Sequence, residues 1–278
     1  MQTHAKVVII GGGMMGVGLA YHLAEAGWTD VLLIEKGELT SGSTWHAAGQ
    51  CPSFIGNYNM AKIHHYGNTL YPKLEELTGH PTGWHGCGGI RIATTAEEVD
   101  WFRYVEGFAA NVGFQMEIIS PERIRELNPW LKTDGILAGA HTTLDGHVDP
   151  ASACNSMAAG ARALGATIVR RNRVTGVTRL PSGEFRVETE QGNVTCEHLV
   201  NAAGQVGMVP RLEQVDNGGG AQGHLRLRLD RDGVVIASSH APRACRACPQ
   251  RLIGEARAAV VVDDFDFSAG GPTATAGA

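Results

Sequence analysis

The sequence predicts an α/β fold in which a parallel sheet carries a small antiparallel sheet, with a partial α+β domain beside it. A β-branched run, Lys6–Ile10, is typical of a strand buried on both faces of a parallel sheet. A glycine-rich turn follows at once, then a helix-like segment that ends at Gly27 and a second apolar run, Val31–Ile34. Strand, glycine turn, helix and strand in this order are typical of a βαβ unit.

The composition excludes several classes of protein. The chain has 278 residues, of which 43% are hydrophobic and 18% are charged, and its formal net charge is −5. That length accommodates about two domains. No apolar run approaches the roughly 18 residues of a membrane span, and a mildly acidic chain without a basic tract is a poor binder of nucleic acid. We therefore expect neither a membrane nor a nucleic acid as a partner.

The cysteines and the first residues predict a cytoplasmic protein without a metal site. The strand-like run begins at Lys6, so we expect no signal or transit peptide. Six widely spread cysteines without a secretion signal are expected to be free thiols. Cys245 and Cys248 form a C-x-x-C with His240 upstream, which leaves a metal site open as an alternative. No second pair follows at zinc-ribbon spacing, which favours a chance pair.

The glycine-rich turn has the G-x-G-x-x-G spacing, formed by Gly11, Gly13 and Gly16 around Met14 and Met15. The first glycine permits a tight turn, the second lets backbone amides approach a pyrophosphate, and the third allows a helix to pack closely on the strand. Glycine is also in excess over the whole chain, with 37 of 278 residues against a usual share of roughly 7%. The spacing predicts that this turn binds a pyrophosphate.

An acidic residue follows the second strand at the spacing that this motif requires. Glu35 lies 24 residues after Gly11 and is followed by Lys36. An acid at this position accepts hydrogen bonds from an adenosine ribose. Turn and acid together predict an adenine dinucleotide, but they do not choose between NAD and FAD.

The segment Leu39–Gln50, LTSGSTWHAAGQ, is too rich in small and hydroxyl residues to form a core. It surrounds a single Trp–His pair, Trp45 and His46, with small residues between Gly42 and Gly49. Such a segment can place backbone and hydroxyl donors around a polar ligand just beyond the second strand.

The pattern G-S-T-W-H-A-A-G in this segment resembles that of dimethylglycine and sarcosine dehydrogenases, in the D-amino-acid-oxidase-like flavoprotein superfamily. The resemblance implies a Rossmann-like FAD-binding domain and a covalent bond from His46 to the 8α-methyl carbon of the flavin. A neutral imidazole nitrogen is a competent nucleophile near neutral pH. The other positions of the segment that are assigned to the cofactor are Gly42, Ser43, Thr44, Trp45, Ala47, Ala48, Gly49 and Gln50.

Two later positions are also implied by the resemblance. Val174 is expected to lend its backbone to the adenine, although from the residues alone it is equally well an ordinary buried strand residue. Gly204, which ends a strand, is expected to approach the cofactor again. His64 and His65 are neighbours on a predicted helix and point to different faces, so neither is assigned a catalytic role.

The chain is predicted to divide into a discontinuous FAD-binding domain (1–80 and 146–205), a partial substrate domain (81–145) and an atypical tail (206–278). A glycine-rich crossing, Pro81–Gly89, marks the first passage between the domains. The elements that follow are a strand at Ile90–Ala93, a helix from a capping box at Thr95 to about Ala110, a short helix from Ser120 to Asn128, a helix capped by Asp149 and Pro150 to about Leu164, and strands separated by turns at 181–183 and 191–193.

The resemblance extends from Lys6 to about Gln205 and then stops. Residues 206–278 contain no Trp, Tyr or Lys and show little periodicity, apart from the strand-like GHLRLRLD and GVVIAS. We expect this tail to be poorly packed, because it lacks almost entirely the aromatic residues that build cores. The abrupt change favours a truncated or frame-shifted coding sequence over a divergent ending.

The function predicted from the resemblance is oxidation of the N-methyl group of a small amino acid, dimethylglycine or sarcosine, by hydride transfer to FAD. The resulting iminium is hydrolysed to formaldehyde, or is captured by tetrahydrofolate in full-length relatives only. The electrons are expected to pass to an electron-transfer protein. The alternatives are a non-catalytic, truncated FAD-binding fragment and an NAD-dependent dehydrogenase. An NAD-dependent enzyme would leave the segment around His46 without a role.

The frame-shift hypothesis makes a prediction about the gene. Translating the coding DNA beyond codon 205 in the other two reading frames is expected to yield the aromatic-rich strands that the present tail lacks. If both frames yield only low-complexity sequence, the frame-shift hypothesis is wrong.

Overall fold

The computed structural model describes residues 2–204 and 235–238. Its helices and strands, in chain order, are β1 (His4–Ile10), α1 (Met14–Glu25), β2 (Val31–Ile34), β3 (Gln50–Cys51), α2 (Tyr58–Thr78), β4 (Gly89–Ala93), α3 (Ala96–Val112), β5 (Met116–Ile119), α4 (Pro121–Leu127), β6 (Ala138–Thr142), β7 (Gly146–His147), α5 (Pro150–Ala163), β8 (Thr167–Val169), β9 (Val174–Arg179), β10 (Phe185–Thr189), β11 (Gly192–Asn201) and β12 (Val235–Ser238).

Seven strands of the described residues form the main sheet, with β1 near its centre. The strand order is β8-β2-β1-β11-β10-β9, and β12 pairs with β11. Strand β1 runs parallel to β2 and β11, and Val8 lies opposite both Leu32 and Leu199. Because the carboxyl ends of parallel strands meet at one edge, the residues after β1, β2 and β11 come together. The prediction of a parallel sheet extended by a small antiparallel sheet is confirmed.

Both faces of β1 and β2 are buried. On one face, Ile9 and Leu33 pack with residues of α1, α2 and α5. On the other face, Val8 and Leu32 pack with Phe185 and further residues of the antiparallel strands. Fully burying one such aliphatic side chain contributes about 1.5–3 kcal/mol to stability. This accounts for the unbroken apolar runs that the sequence shows in both strands.

A second sheet, in the order β4-β6-β5, is entirely antiparallel. Helix α3 packs on it through Phe102 and Val105, and α4 through Ile124. The predicted capping box begins α3, since the Glu98 N–H donates to Thr95 Oγ1 and the Thr95 N–H donates to Glu98 Oε2. The strands of this sheet all lie within residues 81–145, while the domain boundaries themselves remain predictions.

A two-stranded ribbon of β3 and β7 lies where the chain crosses between the two sheets. Beside it, the Asp145 carboxylate is only 5% exposed. Its Oδ1 accepts hydrogen bonds from the Ser53 N–H at 2.7 Å and from Asn68 Nδ2 at 3.4 Å, and its Oδ2 accepts one from Thr142 Oγ1. Asp145 therefore ties the segment after β3 and helix α2 to the end of β6.

The sequence predictions for the tail, residues 206–278, are tested only in part. The strand-like GVVIAS contributes Val235–Ser238, which pair with β11 as β12. The GHLRLRLD stretch and the expected poor packing of the tail lie outside the described residues, as do Cys245 and Cys248. Within residues 2–204 and 235–238, no helix is long and apolar enough to cross a membrane.

Replacing Asp145 by alanine is predicted to lower the free energy of unfolding by about 2–3 kcal/mol, because the Ser53 N–H would stay buried without its charged acceptor. Urea unfolding followed by circular dichroism measures this change. Asp100→Ala serves as the control, because Asp100 forms only an exposed pair with Arg103 and such pairs contribute little. Equal losses in the two variants would contradict the bridging role of Asp145.

Candidate functional site

The glycine loop after β1 is packed too tightly for side chains. The Gly11 N–H donates to the Ile34 carbonyl at 2.9 Å, and Gly11 has a φ of +114°. A Cβ atom at Gly11 would collide with the Ala202 carbonyl oxygen, and one at Gly16 with the Gly11 carbonyl oxygen. The first and third glycines of the motif are therefore required by contacts between backbone segments, as the spacing predicts.

The N-terminus of α1 opens at this loop and fits an anion. The N-cap residue, Gly13, has no side chain of its own to cap the helix, and the first turn contains no acidic residue. The Met14 N–H donates to Thr44 Oγ1 at 3.0 Å. Free N–H groups and the positive end of the helix dipole favour a phosphate at such a terminus. Met15, in the same turn, is exposed.

The Glu35 carboxylate lies beside the loop and is 8% exposed. Its Oε2 accepts a hydrogen bond from the Gly12 N–H at 2.6 Å, and its Oε1 accepts one from the Gly37 N–H at 2.8 Å. A carboxylate offers about four lone-pair positions, so Glu35 retains acceptor capacity for the hydroxyl groups of a ribose. The neighbouring Lys36 is exposed.

The segment just before Val174 is hydrogen-bonded to the chain that follows β2. The Asn172 N–H donates to the Glu35 carbonyl at 3.0 Å, and the Arg171 N–H donates to the Gly37 carbonyl at 3.0 Å. Val174 itself is partly buried against the core cluster that contains Ile34 and Phe185. The expected approach of its backbone to an adenine remains a prediction.

His46 ends a short 3₁₀ turn, Thr44–His46, that also carries the hydroxyl capping α1. His46 Nδ1 lies 3.1 Å from the Gly42 carbonyl oxygen. A carbonyl only accepts hydrogen bonds, so Nδ1 is the donor, and in a neutral imidazole the lone pair is then on Nε2. The Trp45 ring is tilted by 35° over the imidazole at a centroid separation of 3.8 Å. Both side chains are exposed, which leaves Nε2 accessible.

The thiols and the phenol near this site are held in their neutral forms. Burial, with a smaller contribution from Asp145, raises the pKa of Cys51 to about 11. Burial also raises the pKa of Cys154 to about 12 and is the main cause that raises the pKa of Tyr71 to about 12. These three groups therefore supply neither a base nor a thiolate nucleophile near neutral pH.

The structure brings the glycine loop, Glu35 and Thr44 to one edge of the main sheet, and the hydrogen bond from Asn172 to Glu35 links the segment before Val174 to that edge. It gives no contact within 4 Å to a Cβ placed at Gly204, whose φ is +65°. The remaining residues assigned to the cofactor, Gly42, Ser43, Ala47, Ala48, Gly49 and Gln50, follow or flank the turn that carries His46. Their contacts with a cofactor remain predictions.

The sequence analysis missed two residues of the loop. The Gly12 carbonyl accepts a hydrogen bond from the Thr40 N–H at 3.0 Å, and the Gly12 N–H donates to Glu35. The triple glycine run was an available signal for Gly12. Thr40 has a φ of +68°, which its residue type does not indicate.

Two other features lie outside this site. His64 Nδ1 donates to the Pro52 carbonyl at 2.9 Å, while His65 packs beside Phe114.

A cleft of about 370 Å³ lies between α3 and the strands β5 and β6, and none of its lining residues belongs to the predicted cofactor set. In the described part of the chain, no group of three or more His, Cys, Asp or Glu side chains could hold a metal ion.

Comparison with known proteins defines the class to which this site belongs. A family model described as FAD dependent oxidoreductase (DAO) matches residues 6–248. The chain therefore belongs to the family of FAD-dependent oxidoreductases, and FAD rather than NAD is the cofactor of that family. The match includes part of the tail in which the resemblance was expected to have stopped.

Three curated relatives are similar to most of the chain. Dimethylglycine dehydrogenase, mitochondrial, of Rattus norvegicus is 49% identical over 203 residues, which are 73% of this chain and 24% of that protein. The mitochondrial regulatory subunit of pyruvate dehydrogenase phosphatase of Mus musculus is 35% identical over 74% of this chain and 23% of its own length. Human mitochondrial sarcosine dehydrogenase is 33% identical over 73% of this chain and 23% of its own length. The chain thus spans about a quarter of these relatives.

A solved structure supports the same fold. L-proline dehydrogenase from P. horikoshii superposes with a TM-score of 0.68 at 26% identity, covering 74% of this chain and 54% of that one. The α/β fold predicted from the sequence is therefore that of FAD-dependent oxidoreductases.

Replacing Glu35 by glutamine is predicted to weaken FAD binding about tenfold or more, because hydrogen bonds to a charged acceptor contribute about 1.5–3 kcal/mol. Quenching of flavin fluorescence measures the dissociation constant, in a His46→Ala background that keeps binding reversible. Glu38→Gln is the matched control, since Glu38 pairs with Arg170 and Arg171 outside the loop. Unchanged affinity in the Glu35 variant would contradict the assignment.

Proposed function

We propose that this chain is the FAD-holding part of an enzyme that oxidises an N-methyl group of a small amino acid, with the flavin bonded to His46. The 49% identity to a dimethylglycine dehydrogenase, against 33% to a sarcosine dehydrogenase, favours dimethylglycine as the substrate. An electron-transfer protein is the proposed acceptor, and tetrahydrofolate is relevant only to longer relatives. The cytoplasmic location stays a prediction.

The observation that carries the covalent attachment is the arrangement of His46. Its Nδ1 proton is committed to the Gly42 carbonyl, so Nε2 is the nitrogen available for bond formation. The turn that carries it also supplies Thr44 Oγ1 to the N-terminus of α1. One short segment therefore reaches the predicted phosphate site and presents a nucleophilic nitrogen beyond it.

The residues of the chain divide the work of holding the cofactor. The N-terminus of α1 and Gly13 face the pyrophosphate, and Glu35 accepts from the ribose. When bound, FAD supplies the hydride acceptor for oxidation of the N-methyl carbon. The protein binds and orients the two reactants, and the neutral Cys51 and Tyr71 provide no competing base near neutral pH.

A second candidate function is non-catalytic, and one relative favours it. The regulatory subunit of pyruvate dehydrogenase phosphatase, 35% identical, is named for regulation rather than for oxidation. Such a protein would retain the dinucleotide fold without N-methyl oxidation. The two candidates differ in whether flavin is bonded to His46 and is reduced by an N-methylated amino acid.

Acid precipitation of the purified chain is predicted to carry flavin absorbance into the pellet, because a covalent bond survives unfolding. His46→Ala is expected to lose the pellet flavin, whereas His80→Ala, at an exposed histidine outside the site, is expected to keep it. Bleaching of the flavin by dimethylglycine under anaerobic conditions would then support the dehydrogenase. Flavin found only in the supernatant would contradict attachment through His46.

Trp45 is predicted to speed flavin attachment by holding the imidazole plane. Aromatic contacts of this kind contribute about 0.5–1.5 kcal/mol, so Trp45→Ala is expected to slow the appearance of acid-stable flavin about three- to tenfold. Trp45→Phe, which keeps a ring, is expected to recover most of the rate. Total flavin retained on gel filtration distinguishes slow attachment from weak binding. A normal rate in Trp45→Ala would remove this role.

A further inference from the structure

Three polar side chains form a row across the ribbon at the crossing between the sheets. Gln50 of β3 lies opposite His147 of β7, and His147 lies opposite His85 on its other side. The His85 N–H donates to the His147 carbonyl at 2.8 Å, and the His147 N–H donates to the His85 carbonyl at 3.0 Å. Directly opposite residues project to the same face of a sheet. We call these three residues the imidazole row.

The imidazole row is exposed, and its rings contact each other. All three side chains are exposed, and the two imidazole centroids are 5.3 Å apart at an angle of 42°. Within residues 2–204, the two ring nitrogens of His85 and the two of His147 form no hydrogen bond to another protein atom. Two adjacent imidazoles and a carboxamide therefore present unused N–H groups on one surface.

The opposite face of the ribbon is filled, so the row is held outward. Cys51, which follows Gln50, is half-buried. A Cβ atom at Gly146 would lie 2.8 Å from the Trp84 ring, so that face has no space for a larger side chain. Alternation along the strand then keeps Gln50 and His147 on the outer face.

The imidazole row begins where the segment that carries His46 ends. Gln50 directly follows Gly49, and the Val148 N–H donates to the Gly49 carbonyl at 2.9 Å. A Cβ atom at Gly49 would collide with the Val148 carbonyl oxygen, so the two chains are in close contact there. The row is therefore fixed in register with the proposed attachment segment.

We propose that Gln50, His147 and His85 bind the carboxylate of the amino-acid substrate. This proposal rests on the proposed function, in which an N-methyl carbon reacts while the carboxylate at the other end of the molecule stays unchanged. The carboxylate requires N–H donors, and a row of imidazole and amide groups supplies them. A metal ion is disfavoured as the occupant, because the described residues add no third His, Cys, Asp or Glu ligand to the pair.

The test is an NMR titration of the chain with isotope-labelled histidine. Imidazole signals are followed while dimethylglycine, acetate or trimethylammonium is added at constant pH and ionic strength, and His85→Gln and His147→Gln assign the two signals. Both signals are expected to shift saturably with the two carboxylates and not with trimethylammonium. Each substitution is expected to weaken the apparent affinity for dimethylglycine about tenfold, whereas His80→Gln is not.

The proposal is overturned if neither signal responds to a carboxylate, if trimethylammonium causes the same shifts, or if a separate titration with Zn²⁺ alone is the only one that produces a response. If one variant does not fold, the other still assigns its own signal, and the wild-type titration of that signal decides. The proposed function is judged separately, by flavin in the acid pellet and its reduction. Saturable carboxylate binding without attached flavin would support the row while contradicting the function, and attached, reducible flavin without carboxylate shifts would do the reverse.

Discussion

The close approach of backbone at the carboxyl end of β1 is the constraint on which the site depends. Gly11 lies against Ala202, and Gly16 lies against Gly11, with no space for a side chain at either glycine. The Ala202 N–H donates to the Ile10 carbonyl at 2.7 Å, so the returning strand is hydrogen-bonded at the same point. Loop, helix and returning strand therefore form one unit, and a larger residue at either glycine would separate all three.

Local signals made much of this fold predictable. The apolar runs of β1 and β2, the capping box at Thr95 and the Asp149–Pro150 start of α5 depend on residues near one another in sequence, and the structure contains each of them. The loop glycines and Glu35 could be named by the same means, because the glycine spacing and the acid after β2 follow from the geometry of a βαβ unit. The segment around His46, Val174 and Gly204 were assigned to the cofactor only through the resemblance to a known family.

The missed features depend on contacts between distant residues. Asp145 accepts a hydrogen bond from Ser53, which lies 92 positions away in the chain, and no sequence pattern near either residue predicts this contact. The strands β3 and β7 have two residues each, too few to show a period of alternation. Thr40 adopts a left-handed backbone conformation, which β-branched residues rarely adopt, and in it the Thr40 N–H donates to the Gly12 carbonyl.

The hydroxyl of Thr44 gives the start of α1 an occupant that belongs to the chain itself. A phosphate that takes over the Met14 N–H must displace this hydroxyl, and the displacement acts on the same turn that carries His46. The proposed phosphate site and the proposed attachment residue therefore share one three-residue turn, Thr44–His46. If the flavin is bonded to His46 as proposed, a flavin without the diphosphate would leave the Met14 N–H on Thr44 and this turn in its present position.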